Sequence, residues 1–262
     1  MVPKVALVKT NRGAAEAYQR ALKLIGKTDF LDAQNVTVKV GIYDKRNLNY
    51  PTVPVVKAVV DSFAHSKRIL IVESNNHNGK ALDRLQEWKE VFSDRVMPFS
   101  LSNDPETREV TICGEKIRFS SSLFKPNFLV SLHVLRKGKA GCIFKNLLGL
   151  IPDIGKERFH DNLGVALIEM AEAVGWLDLA VIDGTYIYGS EWKEGVPMER
   201  ERRNLLVIGR DPLAVETVGS LLAEEDPLSI PALAVANERK LGETDINRIQ
   251  VVGEDLRNFL NI

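Results

Sequence analysis

Cysteine is scarce: the chain of 262 residues has two, Cys113 and Cys142, far apart and in no CxxC pattern. This excludes a disulfide framework and a cysteine-ligated cluster, and it fits a reducing compartment. Net charge is missing as well, with Lys plus Arg and Asp plus Glu at 35 each. No global field then favours nucleic acid or an anionic membrane, so an anion site must be local. No apolar run approaches the roughly eighteen residues of a spanning helix. The opening MVPKVALVKTNRG has neither an apolar signal core nor a cleavage site of small residues. A soluble, cytoplasmic protein is expected. Catalytic signatures are also absent: there is no GxxxxGK followed by Ser or Thr, no GxGxxG, no HExxH and no GxSxG.

What is present is 45% hydrophobic residues, enough for a sizeable core. Strand and helix patterns alternate along the chain. Val5 to Val8 reads as a strand and Ala14 to Ile25 as an amphipathic helix. Val36 to Tyr43 is rich in β-branched residues, and Thr52 stands where it can cap a helix with Pro54 in its first turn. Arg68 to Glu73 is a nearly continuous apolar run of the buried parallel kind, followed by a helix from Lys80 to about Phe92. VTICGEKIRF, centred on Gly114, predicts a β-hairpin. Asn162 to Val174 reads as a helix and Leu177 to Ile182 as a buried strand. TYIYGSEWKEGVPMERERR has no steady period and reads as a long loop or lid. A strand at Leu205 to Ile208, a helix capped by Asp211, a helix around Ile230 to Lys240, a strand at Ile249 to Val252 and a short tail helix complete the pattern.

The fold expected is α/β: a mainly parallel sheet with helices on both faces and a β-hairpin excursion. One domain over 1–262 is expected, with a division into lobes 1–125 and 126–262 left open. Polar residues collect at the ends of predicted strands, where open α/β sheets bind ligands. These are Glu73 with His77, His133, Asp183 and, more loosely, Lys39 with Asp44. For each residue alone, the alternative is a turn or a helix cap.

Phe128 to His160 is the densest such stretch. KGKAGCIFKN offers cations and flexible backbone ahead of a predicted helix, a cradle for phosphate or carboxylate to which Lys139 contributes. Lys145 lies between apolar residues, where desolvation would make its amine nucleophilic. The alternative is that it pairs with an acid such as Asp183. His77, His133 and His160 fall in loop-rich positions, and imidazoles beside Glu73 or Asp183 would suit a divalent metal such as zinc, nickel or iron. The alternative is hydrogen-bonded loop histidines.

In its motifs the chain resembles the family catalogued as domain of unknown function 362. The residues that carry this run from about Lys39 to Gly253. They are the strand lysine with Thr52, the strand ending in Glu73, the strand leading to His133, and KNLLGLIP with Lys145, Asn146 and Gly149. His160, AVIDG with Asp183, Gly189, Gly195, GRDPLAVE with Asp211, LGE and VVGED follow in order. Glu216 stands where relatives commonly have Asp, and KVG replaces the usual KPN. The ferredoxin-like cysteine segment of some relatives is absent, so an iron–sulfur cluster is not expected. A fainter likeness is to the nickel-pincer lactate racemases, through His133, Lys145 and His160 at spacings of 12 and 15. That likeness implies cofactor attachment at Lys145 and metal at His160.

The leading expectation is a protein that binds a small anionic metabolite in a cleft, with His133, Lys145 and Asp183 as catalytic residues. Lys39, Glu73, His77, Lys139 and Asn146 are its expected ligand-binding residues, and His133 with His160 its expected metal ligands. A metal- or cofactor-holding protein without turnover is the alternative; an assembly scaffold has least support, because polar residues concentrate at strand ends. The sequence carries no signal for oligomeric state.

Overall fold

The computed structural model describes residues 2–26 and 29–260. Its centre is an eight-stranded sheet. In chain order the strands are β1 (Lys4–Lys9), β2 (Asn35–Val40), β3 (Arg68–Glu73), β4 (Val96–Ser100), β7 (Phe128–Arg136), β8 (Leu179–Tyr188), β9 (Arg200–Gly209) and β10 (Gln250–Gly253). Strands β5 (Thr107–Ile112) and β6 (Glu115–Ser120) form a separate hairpin. The helices are α1 (Ala14–Ile25), α2 (Val53–Ser62), α3 (Ala81–Leu85), α4 (Leu163–Ala173), α5 (Pro212–Leu222) and α6 (Pro231–Arg239).

The spatial order of the large sheet is β10-β1-β9-β8-β7-β2-β3-β4. All neighbours are parallel except at β9, which runs antiparallel to both β8 and β1. From β2 the chain winds outward through β3 and β4, then returns to place β7 on the other side of β2. The crossover between β2 and β7 is therefore a topological switch point, where the loops at the carboxyl ends part and leave a crevice.

Successive strand side chains point to opposite faces, and each face has its own core. On one, Val36, Val38 and Val40 of β2 join Phe128, Val130 and Leu132 of β7 beneath α1 and α2. On the other, Leu129 of β7 and Leu70 and Val72 of β3 pack under α4, α5 and the hairpin. At β2 that second face carries Thr37 and Lys39 instead, and at β7 it carries Ser131 and His133. The register places Lys39 opposite Ser131. A polar patch is thus built into the sheet beside the switch point.

The alternation read from the sequence is present, with some differences. The expected long loop is shorter than its sequence suggests: β8 continues to Tyr188 and β9 starts at Arg200, so both ends are strand and residues 189–199 form the connection. Strand β4 escapes the pattern because Pro98 interrupts it, and an edge strand is where proline is tolerated. The helix expected from Lys80 is one short turn of α-helix that tightens into a 3₁₀ turn with Trp88 out of helical geometry. KNLLGL is likewise a 3₁₀ turn. The hairpin turns on Cys113 and Gly114, both at positive φ, the backbone that two-residue hairpins require. The large sheet draws strands from both sides of residue 125. No helix among the described residues is long and apolar enough to cross a membrane.

Candidate functional site

A cavity of about 400 Å³ opens at the carboxyl ends of β2, β3 and β7. Its floor is a saturated polar network. The Lys39 ammonium, 1% exposed, donates to Glu73 Oε2 at 3.1 Å, Asn146 Oδ1 at 2.8 Å and the Val40 carbonyl at 2.8 Å. Burial pulls Lys39 below its ordinary value and Glu73 pulls it back. Glu73 also accepts from the Ile42 and Ser74 amides. Asn146 returns to the sheet, its amide nitrogen donating to the Lys39 carbonyl at 2.8 Å and to Ser131 Oγ at 3.0 Å. Every donor of Lys39 is thus used within the protein. The floor positions β2, β3 and the turn at 145–150 relative to one another, and its charges cancel.

Above the floor the balance is different. Arg136, Lys145 and Lys156 line the cavity. Burial, with the Arg136 charge added, lowers Lys145 to about 8; burial lowers Lys156 to about 8 as well. Lys156 donates to Ser74 Oγ, whereas Lys145 has no hydrogen-bond or ion-pair partner among the described residues. Arg136 Nε is buried and also without a partner. Residues 133 and 136 of a regular strand face opposite ways, yet both side chains line this cavity. The register between β7 and β8 jumps from Val134 opposite Asp183 to Leu135 opposite Ile187, with the extra residues on β8.

His133 stands among these cations. Burial, and then Arg136, push its imidazole down to about 3, so it is neutral at physiological pH. Its Nδ1 lies 3.3 Å from the Val134 carbonyl. That contact assigns the proton to Nδ1 and leaves Nε2 as an acceptor. Gly41 makes room for the ring: a β-carbon there would fall 1.9 Å from His133 Cδ2. His160 lines the cavity too and is lowered by burial and by Lys145. At the mouth, His77 pairs with Glu157 at 3.4 Å, both well exposed.

Of the residues singled out from sequence, Lys39, Glu73, His77, His133, Lys145, Asn146 and His160 all line this cavity. Asp183 and Lys139 do not. The Asp183 carboxylate accepts from the Thr52 amide and hydroxyl, both at 2.7 Å, and from the Thr185 amide at 2.9 Å. It anchors the start of α2, and Thr52 spends its hydroxyl there instead of capping the helix. No ion pair joins Asp183 to Lys145 among the described residues. Lys139 is exposed on the loop. Among the described residues no group of three or more His, Cys, Asp or Glu side chains, with His133 and His160 or elsewhere, converges on a metal position.

The loop expected to cradle an anion already holds a carboxyl group from inside the protein. Glu216 of α5, wholly buried, accepts from the Cys142 amide at 2.6 Å and the Phe144 amide at 2.8 Å. Gly141, at φ +76, passes against the same carboxylate. The Gly138 amide donates to Glu225, and Lys137 pairs with Glu224. These backbone donors are therefore committed to holding the loop down. Arg136 and Lys156 carry the cationic character instead. Arg136 closes the strand three residues after His133, a readable cue; Lys156 follows a turn with no periodic signal.

Together these observations define an open α/β protein with a cationic crevice at its switch point. Residues 36–220, from β2 into α5 and including every residue that lines the cavity, match the sequence model of the family described as Domain of unknown function (DUF362). The chain belongs to that family. No curated protein matches it.

Proposed function

We propose that this protein binds a small anionic metabolite in the crevice and serves proton transfer on it through Lys145, with His133 orienting the ligand. The observation that carries the reading is the surplus of positive charge above a neutral floor. Lys39 and Glu73 cancel, while Arg136, Lys145 and Lys156 line the cavity above them; Glu216 partly offsets Arg136, and Glu73 and Asp153 partly offset Lys156, but no carboxylate among the described residues offsets Lys145. Burying cations without counter-charges is costly, and an anionic ligand supplies the missing partner. Arg136 offers a fork suited to carboxylate or phosphate, and the two lysines offer point charges. Lys145, near 8, is poised to give or take a proton at neutral pH. The bare His133 Nε2 accepts a hydrogen bond from a protonated or hydroxyl group of the ligand.

Calorimetric titration with inorganic phosphate at low salt tests this. The parent should bind with a Kd in roughly the millimolar range or tighter. Lys145→Met and Arg136→Met should each weaken binding about tenfold or more. Absence of binding, or equal binding by parent and both variants, would refute the proposal.

A further inference from the structure

Large apolar side chains exposed at the surface are unremarkable when scattered, but here they gather. Of the eight such residues among those described, Tyr43, Ile154 and Trp192 line the mouth of the cationic cavity, at 49%, 50% and 46% exposure. The rings of Tyr43 and Trp192 meet edge to face with centroids 5.6 Å apart. They come from the loop after β2 and the connection between β8 and β9, so folding must bring them together.

The arrangement is built. Trp192 Nε1 donates to Asn47 Oδ1 at 3.0 Å. The same Asn47, 2% exposed, uses its amide nitrogen to hold the carbonyls of Lys193 and Val196. The Met198 amide donates to the Asn47 carbonyl at 3.0 Å, which ties the end of the connection to the same residue. The indole is therefore fixed before any ligand arrives. Beside it, Asn49 reaches Met198 Sδ with one end of its carboxamide, while the other end, assigned as Oδ1, is buried without a partner. Asn49 and Met198 both line the cavity.

We infer that the ligand is an anion carried on a planar ring, its charged group among Arg136, Lys145 and Lys156 and its ring against Tyr43 and Trp192. The inference rests on the anion-binding reading above. Fixed aromatic faces beside a charged pocket favour a flat apolar body over a bare ion or an aliphatic acid. A cavity of this size accepts a molecule of that kind.

Titrations of the intact protein with inorganic phosphate, phenyl phosphate and AMP test the inference. At least one of the two ring-bearing phosphates should bind about tenfold or more tightly than inorganic phosphate. That ratio should fall toward one in Trp192→Ala and be regained in Trp192→Phe. Should Trp192→Ala fail to fold, the comparison passes to Tyr43→Ala. Phosphate binding without gain from either ring overturns the inference and leaves the anion site standing. Binding of none of the three overturns both. A gain that survives both aromatic variants places the ring elsewhere and overturns the inference as well.

Discussion

Gly41 follows the last residue of β2 and His133 lies on the adjoining β7, and the imidazole fills the space that a β-carbon on Gly41 would take, at 1.9 Å from Cδ2. Gly41 has no positive φ, so its smallness and not its backbone freedom is what the site uses. Gly41→Ala should therefore displace His133. We expect a loss of about 1 to 3 kcal/mol in stability from overpacking, with ligand binding reduced well beyond that seen in a surface control. Urea unfolding and titration on the same variant check both parts.

The Lys39–Glu73 pair is nearly fully buried, at 1% and 5% exposure. Removing one partner leaves the other charge without compensation. Lys39→Met alone should cost roughly 3 to 5 kcal/mol, and the double change to Met and Leu should cost clearly less than the sum of the single changes. Equilibrium denaturation of the four proteins in this cycle gives the coupling directly.

Lysines 145 and 156 sit near 8, below the ordinary lysine value of 10.5. Between these limits the unfolded chain binds more protons than the folded one, so ligand-free stability should rise as pH climbs through that window. Anion binding favours the charged lysines and should run the other way. Affinity for phosphate should fall about tenfold or more from near pH 7 to about pH 9.5. Titrations near pH 8 in buffers of different ionisation heat should show proton uptake.

Lys145 has no partner among the described residues and burial opposes its charge. Lys145→Met should then stabilise the ligand-free protein, on the order of 1 kcal/mol, while it weakens binding. A thermal melt with and without phosphate separates the two effects. Glu216 presents the opposite case. Glu216→Ala strands two buried amides, those of Cys142 and Phe144, and should cost about 2 kcal/mol or more, read by denaturation.

Much of this was legible in the sequence. Buried strands such as Arg68–Glu73 and Phe128–Arg136 announce themselves by continuous apolar runs that end in polar residues, and the parallel sheet gathers those ends. Lys39, Glu73, His133, Lys145, Asn146 and His160 therefore meet. Position at a strand end does not say which way a side chain turns, and Asp183 turns to Thr52. Nor does a glycine-bearing basic loop reveal that its amides are already taken; Glu216 lies more than seventy residues away in sequence and is brought in by α5. The place of Arg136 at the cavity depends on where the end of β7 lies among its neighbours, and the Tyr43–Trp192 pair depends on two loops meeting. Those are properties of the assembled sheet, not of any local pattern.

The most direct measurement is anomalous diffraction from a crystal soaked in selenate, a phosphate-like dianion whose selenium marks its own position. The account predicts a peak within hydrogen-bond reach of Arg136, Lys145 and Lys156, above the Lys39–Glu73 floor. Selenate bound only at the outer surface, with those three side chains bare in an open cavity, would contradict it.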